Sequence, residues 1–321
     1  MTLRSLILFS SVLLIAGCGG NGRKAEQHTA LPFPDVVPPA MMENVQDRTE
    51  YMALHWWDAI TDPSRPYTCD TSLVSGVKRN DVEQKFSNWT NILNMVDLAH
   101  ARKSLTRLHD RAVVCEKTDT SSNVYEVFTE MVKKYLYDPN SPVRNEDHYS
   151  AYAERLAQSD LVDPLMRKKY ARQADLAALN RIGTKAADFR FTDKRGRTHT
   201  LYGVKSDLTL LFFSNPGCGA CKDIIDVLNN DPKISGLISE GVMQVLNIYI
   251  DEDLQSWRSY MSIYPENWYN GFDPDLVIRG DVLYNVRAIP SLYLLDSDKT
   301  VIMKDVPEAR LFDWLSHYLA E

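Results

Sequence analysis

The spacing of apolar residues divides the chain into a helical half and an α/β half. Apolar side chains recur at helical steps at positions 82, 86, 89, 93 and 96, and again at 101, 105, 108, 112 and 115. The phase breaks between 96 and 101, where Asp97 is a candidate N-cap, so we predict two packed helices or one kinked helix. Asn145 and Asp163-Pro164 are candidate starts of two further helices. Residues 41–180 are therefore predicted to form an all-α N-terminal domain.

The pattern changes after Gly183. The segment "ADFRFTDKRGRTHTLYG" is typical of two short strands around a turn, and "DLTLLFFS" and "VMQVLNIYID" are typical of strands buried on both faces. A helical stretch follows each of these two runs, and the chain closes with the hairpin pattern "SLYLLDSDKTVIM" and an amphipathic helix. Residues 183–321 are therefore predicted to form an α/β domain, a mixed sheet with helices on both faces.

The first 17 residues have the pattern of a signal peptide. Arg4 precedes an apolar run at 6–16, which is shorter than the ~20 residues that a membrane-spanning helix needs. Ile15-Ala16-Gly17-Cys18 resembles a bacterial lipobox, which implies residues 1–17 as the signal peptide and a lipid on Cys18. Residues 18–40 are predicted to form a flexible linker. We expect an exported protein, lipid-anchored to a bacterial membrane and facing the periplasm; an ordinary signal peptide with an uninvolved cysteine is the alternative.

Composition and charge narrow the classes of partner. The chain has 321 residues, of which 44% are hydrophobic and 25% charged, which suits two globular domains. Its net charge of −7 argues against a nucleic-acid partner, because such a partner requires a basic face. Export brings the five cysteines into an oxidising compartment, where disulfides persist.

Cys218 and Cys221 form a C-x-x-C motif between a predicted buried strand and a predicted helix. At that place the helix N-terminus offers unpaired N–H groups and the positive end of the dipole, which favour a thiolate and lower the pKa of the first cysteine. The thiolate is the attacking species in disulfide exchange. Cys218 is therefore predicted to be the nucleophile, and Cys221, nearly one turn further on, the resolving thiol.

The motif has two other interpretations within the same domain. A structural zinc site needs about four ligands, and no second pair of cysteines or histidines is predicted in the same domain, so we expect no metal ion and no cofactor. A purely structural disulfide across so short a loop constrains little unfolded-chain entropy. A third alternative, of another class, is a non-catalytic lipoprotein in which the helical domain binds a partner and the α/β domain is a scaffold.

Cys69 and Cys115 have two interpretations. They flank the helix pair, so antiparallel packing would bring them to the same end, where a disulfide would close about 47 residues and contribute on the order of 4 kcal/mol. Alternatively, Cys115 is a small buried apolar residue on its helical stripe.

A second feature supports the redox interpretation. Ile289-Pro290 directly precedes the apolar run "SLYLL", and we expect a cis peptide bond there. Together with "GTKAADF", Gly196, "LLFFSNPGCGAC" and "IPSLYLLD", this order of motifs resembles the thioredoxin-like fold in its TlpA/ResA branch of exported, membrane-tethered thiol-disulfide oxidoreductases. The resemblance implies that Pro290 packs over the cysteine pair and that Ile289 offers its backbone to a bound substrate. It also implies protein thiols or disulfides, and a membrane or soluble redox protein, as partners.

The helical half carries a second resemblance, through "YLYDPNSPVRNEDHY" and "LAALNRIGTKAADF". These segments resemble a helical domain of unknown function that precedes thioredoxin-like domains in bacterial lipoproteins. This likeness implies an architecture and no activity.

The redox motif departs from the family pattern at two positions. Phe212 and Ile224 stand where relatives carry the acidic residues that accept the proton of the resolving thiol. Because the motif is atypical, the direction of electron flow stays open between reductant, oxidant and isomerase.

Overall fold

The structure, a computed structural model, describes residues 29–65 and 71–319. Within them, the first half contains six α-helices and a short hairpin of two strands. A π-helical turn, Lys133–Tyr137, follows the fourth helix directly. In chain order the elements are α1 Val45–His55, β1 Leu73–Val74, β2 Val77–Lys78, α2 Arg79–Leu93, α3 Leu98–Thr118, α4 Val124–Val132, α5 Glu146–Gln158 and α6 Pro164–Ala177.

Three polar side chains start helices where the sequence predicts them. Asp97 accepts a hydrogen bond from the backbone N–H of His100, which makes α2 and α3 two separate helices rather than one kinked helix. Asn145 caps α5 and Asp163 caps α6, with Pro164 in the first turn. These three predictions are confirmed. N-capping depends only on residues within one turn, so the sequence alone can predict it.

The prediction that this half is wholly helical is wrong in one detail. The strands β1 and β2 pair antiparallel, with Val74 opposite Val77, around the turn residues Ser75 and Gly76. Both turn residues have positive φ, 44° and 79°, which is the geometry of a two-residue hairpin turn. The apolar Val74 and Val77 are buried in the helical core and so attach this hairpin to it.

An aromatic cluster occupies the core of the helical half. Trp57, Phe86, Trp89 and Phe128 are buried, and the Trp57 and Phe128 rings meet edge to face at 4.7 Å. The indole N–H of Trp89 donates to the carbonyl of Ala53 at 2.9 Å, so its one polar atom is satisfied. Within the segment predicted as a linker, Phe33 packs edge to face on Trp57 at 5.7 Å. Part of that segment is therefore packed against the helices.

The second half is built on a seven-stranded mixed sheet in the order β4-β3-β7-β6-β5-β8-β9. The strands β5, β6 and β7 run parallel, and the other neighbours pair antiparallel. In chain order the elements are β3 Arg190–Asp193, β4 Thr198–Thr200, β5 Leu208–Phe213, α7 Gly219–Asn230, α8 Pro232–Ser239, β6 Met243–Tyr249, α9 Leu254–Ser259, β7 Tyr269–Phe272, β8 Ser291–Leu295, β9 Val301–Met303 and α10 Glu308–Tyr318.

Different segments pack on the two faces of the sheet. Along β5, Leu210 and Phe212 face one hydrophobic cluster, and Leu211 and Phe213 face the other. The helices α7 to α10 contribute their buried side chains to the first cluster. The second cluster is closed by connecting segments before β5 and between β7 and β8. The second face carries the short 3-10 helix Leu201–Gly203, but no α-helix of the described residues contributes to its cluster, so the prediction of helices on both faces is wrong for α-helices. The segment before β8 has positive φ at Leu276 and Val282, which excludes a continuous helix there.

Candidate active site

The two cysteines lie where β5 passes into α7. Every residue of β5 is buried, and the loop 214–217 leaves its carboxyl end and turns at Gly217, whose φ is 74°. Cys218 is the N-cap of α7, and its Sγ accepts the backbone N–H of Cys221 at 3.1 Å. The predicted placement of Cys218 at a helix N-terminus is confirmed. An anionic sulfur at this position would be stabilised by the helix N–H groups and the dipole.

Cys218 and Cys221 are joined as a disulfide, with their Cα atoms 5.2 Å apart. The two sides of this disulfide differ in exposure. Cys221 is only 2% exposed and packs in the core beneath α7, whereas Cys218 is half-buried. Gly217, Gly219 and Ala220 are exposed and carry little side chain. A macromolecule can therefore approach the first sulfur more readily than the second.

The predicted cis peptide bond between Ile289 and Pro290 is present. The register of β5 and β8 pairs Phe213 with Ser291, so Pro290 lies at the same sheet edge as the loop that leads to Cys218. Ile289 packs against both hydrophobic clusters. The fold therefore brings the cysteine pair and the Ile289-Pro290 step to one edge of the sheet from positions about 70 residues apart.

Phe212 and Ile224, which stand where the resemblance led us to expect acidic residues, are buried apolar side chains. Phe212 is 0% exposed and Ile224 is 3% exposed, so neither position holds a group that can take a proton. Asp223 and Asp226 on α7 are exposed, and Asp226 is paired with Lys222. These two aspartates face solvent.

A buried polar network, which the sequence pattern did not indicate, lies at the end of β5. Ser214 Oγ donates to Asn247 Oδ1, and Asn247 Nδ2 donates to Asn270 Oδ1 at 3.0 Å. The chain of bonds continues from Asn270 Nδ2 to the carbonyl of Pro265 at 2.8 Å, and the Tyr264 hydroxyl lies 3.5 Å from Ser214 Oγ. Burial raises the pKa of Tyr264, so this hydroxyl is neutral near pH 7. The network ties β5, β6 and β7 together directly beneath the loop to Cys218.

A cleft of about 670 Å³ is lined by Asp251, which contacts the same loop, and by Arg279. Asn215 Nδ2 donates to Asp251 Oδ2 at 2.8 Å, and Asp251 also pairs with Arg279 across the cleft. The loop between β5 and α7 is thus held from below by Ser214 and from the side by Asn215.

Of the other three cysteines, the structure describes only Cys115. Cys18 and Cys69 lie outside the described residues, so the lipid site and the Cys69–Cys115 bridge stay predictions. Cys115 is buried on α3.

In the part of the chain that the structure describes, no group of three or more His, Cys, Asp or Glu side chains is placed to hold a metal ion. None of the helices in residues 29–65 and 71–319 is both long and apolar enough to span a membrane.

A mixed sheet with a cysteine pair at the start of the helix after β5, and a cis-proline at the start of β8, defines a thioredoxin-like protein. In sequence, residues 18–180 match a family described as "Domain of unknown function (DUF5106)". This match covers half of the chain, and the chain therefore belongs to the DUF5106 family. No curated protein matches the chain.

Solved structures resemble either most of the chain or somewhat less than half of it. The chain is 36% identical to a thioredoxin-like protein from Bacteroides caccae, with a TM-score of 0.75 over 90% of this chain and 100% of the other. The C-terminal domain of an uncharacterized protein from Bacteroides fragilis is 43% identical, with a TM-score of 0.41 over 43% of this chain and 98% of that domain. A domain of a possible thiol-disulfide isomerase from Cytophaga hutchinsonii is 28% identical, with a TM-score of 0.37 over 44% of this chain and 95% of the other.

Proposed function

We propose that the chain is an exported lipoprotein that catalyses thiol-disulfide exchange on protein partners through Cys218 and Cys221. One observation carries this proposal: the disulfide sits at the N-terminus of α7 with Cys218 half-buried and Cys221 buried. This asymmetry separates the roles of the two sulfurs, because only an accessible sulfur can join a partner protein and only an adjacent, protected thiol can release it.

The exchange balances as two substitutions at sulfur. In the reduced protein, the Cys218 thiolate attacks a disulfide of the partner, forms a mixed disulfide and releases one partner thiolate. The Cys221 thiol then loses its proton and attacks Cys218 Sγ, which releases the second partner thiolate and forms the Cys218–Cys221 disulfide. Two electrons pass to the partner, and the reverse sequence oxidises a partner dithiol.

Ile289 and Pro290 are proposed to bind the partner chain. They flank the cysteine pair at the same sheet edge and are half-buried, so part of their surface remains available. An extended partner segment beside this step would place its own sulfur next to Cys218, which is the orientation that exchange requires.

The proposed activity is tested by turnover of insulin disulfides with dithiothreitol as the electron donor. We expect the full mature chain to accelerate the reaction on the order of tenfold or more over dithiothreitol alone, because a low-pKa thiolate at a helix N-terminus reacts faster than a free thiol near pH 7. The control is the same protein reduced and then alkylated at its thiols. Equal rates for the untreated and alkylated proteins would support the scaffold alternative instead.

The anchor is a separate part of the proposal and rests on the lipobox-like "IAGC" at residues 15–18. We expect cells that express the chain to incorporate labelled palmitate into it and to retain it in the membrane fraction. A Cys18→Ala chain should lose the label and leave that fraction. Label that persists in the Cys18→Ala chain would contradict lipidation at this residue.

A further inference from the structure

A buried cluster of charges joins the helical half to the segment that contains the Ile289-Pro290 step. Glu146, in the first turn of α5, is 2% exposed. Its Oε1 accepts a hydrogen bond from Arg287 Nε at 2.5 Å and another from Asn285 Nδ2 at 2.6 Å. Arg287 and Asn285 precede Ile289 by two and four residues. A carboxylate of the helical half therefore binds two side chains of the segment that leads into the Ile289-Pro290 step.

The Arg287 side chain makes contacts with several groups of both halves. Besides its bond to Glu146, the guanidinium donates to the carbonyl of Tyr137 and lies 4.3 Å from the centre of the Tyr137 ring. It also reaches Asp305 Oδ2 at 3.4 Å. Because its side chain is only 12% exposed, the guanidinium cannot exchange these partners for water without moving the segment.

The same cluster holds the other side of the step. Ser291, directly after Pro290, donates its Oγ proton to Asp305 Oδ1 at 2.7 Å. The backbone of Asp305 is itself held by the helical half, because Arg144 Nε donates to its carbonyl at 2.9 Å. The residues before and after the Ile289-Pro290 step are thus both tied, directly or through Asp305, to the segment 144–146.

Because these charges are buried, they need their charged partners close by. Glu146, Asp147 and Asp305 are paired with Arg144, Arg287 and the buried Lys304, and Lys304 Nζ lies 3.5 Å from Glu146 Oε2 and 3.3 Å from Asp147 Oδ1. Burial raises the pKa of the Glu146 carboxyl, and the positive charges of Arg287 and Lys304 oppose that rise. Loss of a partner by a buried charge is costly, so the bonds of Glu146 to Arg287 and Asn285 favour one position of the loop 285–291.

We propose that Glu146 is a positioning residue for the redox site, and that the helical half acts on that site by fixing the loop 285–291 against which a partner chain binds. This inference rests on the proposed function. It assigns the helical half a role in partner recognition rather than in the chemistry at sulfur, because Glu146 touches the loop and not the cysteines. The cysteine pair and α7 have their own supports in Ser214 and Asn215.

The test compares Glu146→Gln with Asp147→Asn in the full chain. Both residues lie in the first turn of α5 and are buried, at 2% and 1% exposure, and both substitutions remove one negative charge. The side chain of Asp147 accepts the N–H of Ile182 and pairs with Lys304, a partner that it shares with Glu146, but its bonds to the described residues do not include the loop 285–291. Asp147→Asn therefore controls for the loss of a buried charge at this interface.

We expect Glu146→Gln to raise the KM for insulin about tenfold with kcat within about twofold, because partner binding weakens while the reacting sulfurs keep their geometry. The equilibrium of the cysteine pair with glutathione should not change. Arg287→Lys, which keeps the charge but loses the planar fork, should raise KM in the same direction. Asp147→Asn should leave KM near the wild-type value.

The outcomes separate this inference from the proposed function. No turnover by the wild-type chain would end the proposed function, and the positioning role with it, before any variant is compared. Turnover by the wild type with an unchanged KM in Glu146→Gln and Arg287→Lys would overturn the positioning role alone. An equal rise in KM for Asp147→Asn would show a general structural effect and would also overturn the positioning role. So would loss of folded protein, measured by circular dichroism, in both Glu146→Gln and Arg287→Lys.

Discussion

Cys218→Ser is expected to abolish turnover of insulin disulfides, with a loss on the order of 10³-fold or more, because a serine hydroxyl does not ionise near pH 7 and cannot form a mixed disulfide. Cys221→Ser is expected to lose turnover as well, but by a different route. Its Cys218 can still attack a partner disulfide, and the adduct then persists because no neighbouring thiol resolves it. Exposure at Cys218 and burial at Cys221 are the structural basis for this difference.

The two variants are distinguished by non-reducing electrophoresis after exposure to a disulfide-containing protein. Cys221→Ser should show a dithiothreitol-sensitive adduct at the summed mass, and Cys218→Ser should show none. Val227→Ser is a suitable control, since it places a serine on an exposed position of the same helix and leaves both thiols in place. Adducts that form equally through either single cysteine would contradict the assignment of nucleophile and resolving thiol.

His148 is expected to make the protein sensitive to acid. The residue is 5% exposed, and burial, with smaller contributions from the charges of Arg310 and Arg102, lowers its pKa to about 3. An exposed histidine in the unfolded chain titrates near 6.5. Between these two values the unfolded chain binds a proton that the folded chain does not, so the free energy of unfolding falls as the pH falls. At pH 4.5 the loss from this residue is about 2–3 kcal/mol relative to pH 7.5.

The measurement is urea unfolding of the wild type and of His148→Gln at pH 7.5 and pH 4.5. The variant should lose about 2–3 kcal/mol less than the wild type over this interval, since other titrating groups are common to both chains and cancel. His317→Gln provides the control, because the side chain of His317 is 77% exposed. Parallel pH dependence of wild type and His148→Gln would show that His148 takes up a proton equally in the folded and unfolded chains, which contradicts the prediction.

The helix starts were predictable because each depends on a few neighbouring residues. Asp97, Asn145 and Asp163 bond to N–H groups within their own first turns, and such contacts are present in any packing of the helices. The position of Cys218 followed from the same local logic, since a buried apolar run passes through a glycine into a helical stretch.

The strand β7 was not predictable in this way. Tyr269–Phe272 contains asparagine and glycine, which are depleted in strands. Both have tertiary reasons to be there. Asn270 belongs to the polar network beneath the redox loop, and a Cβ at Gly271 would lie 2.7 Å from Phe191 Cδ2. These requirements arise only when β3 and β6 are placed on either side of β7.

Among the described residues no α-helix covers the second face of the sheet, and this difference from the prediction has a similar cause. Every residue of β5 is buried, and successive side chains enter two different clusters, so both faces need cover; the sequence pattern predicted helices for each. Which segment covers a face depends on the backbone between β7 and β8. Asp273 accepts the N–H of Ile278 there, and this bond closes a compact loop instead of a helical turn.

Taken alone, the sequence determined the division into a helical half and an α/β half, the helix caps, and the cysteine pair at a helix N-terminus. These features depend on contacts within a few residues. The tertiary structure decided which sulfur is accessible, which face of the sheet carries the helices, and how Glu146 reaches the loop 285–291. Glu146 lies about 140 residues from its partners, and a pairing over that distance has no local signature because it forms only when both halves have folded and excluded water from the charges between them.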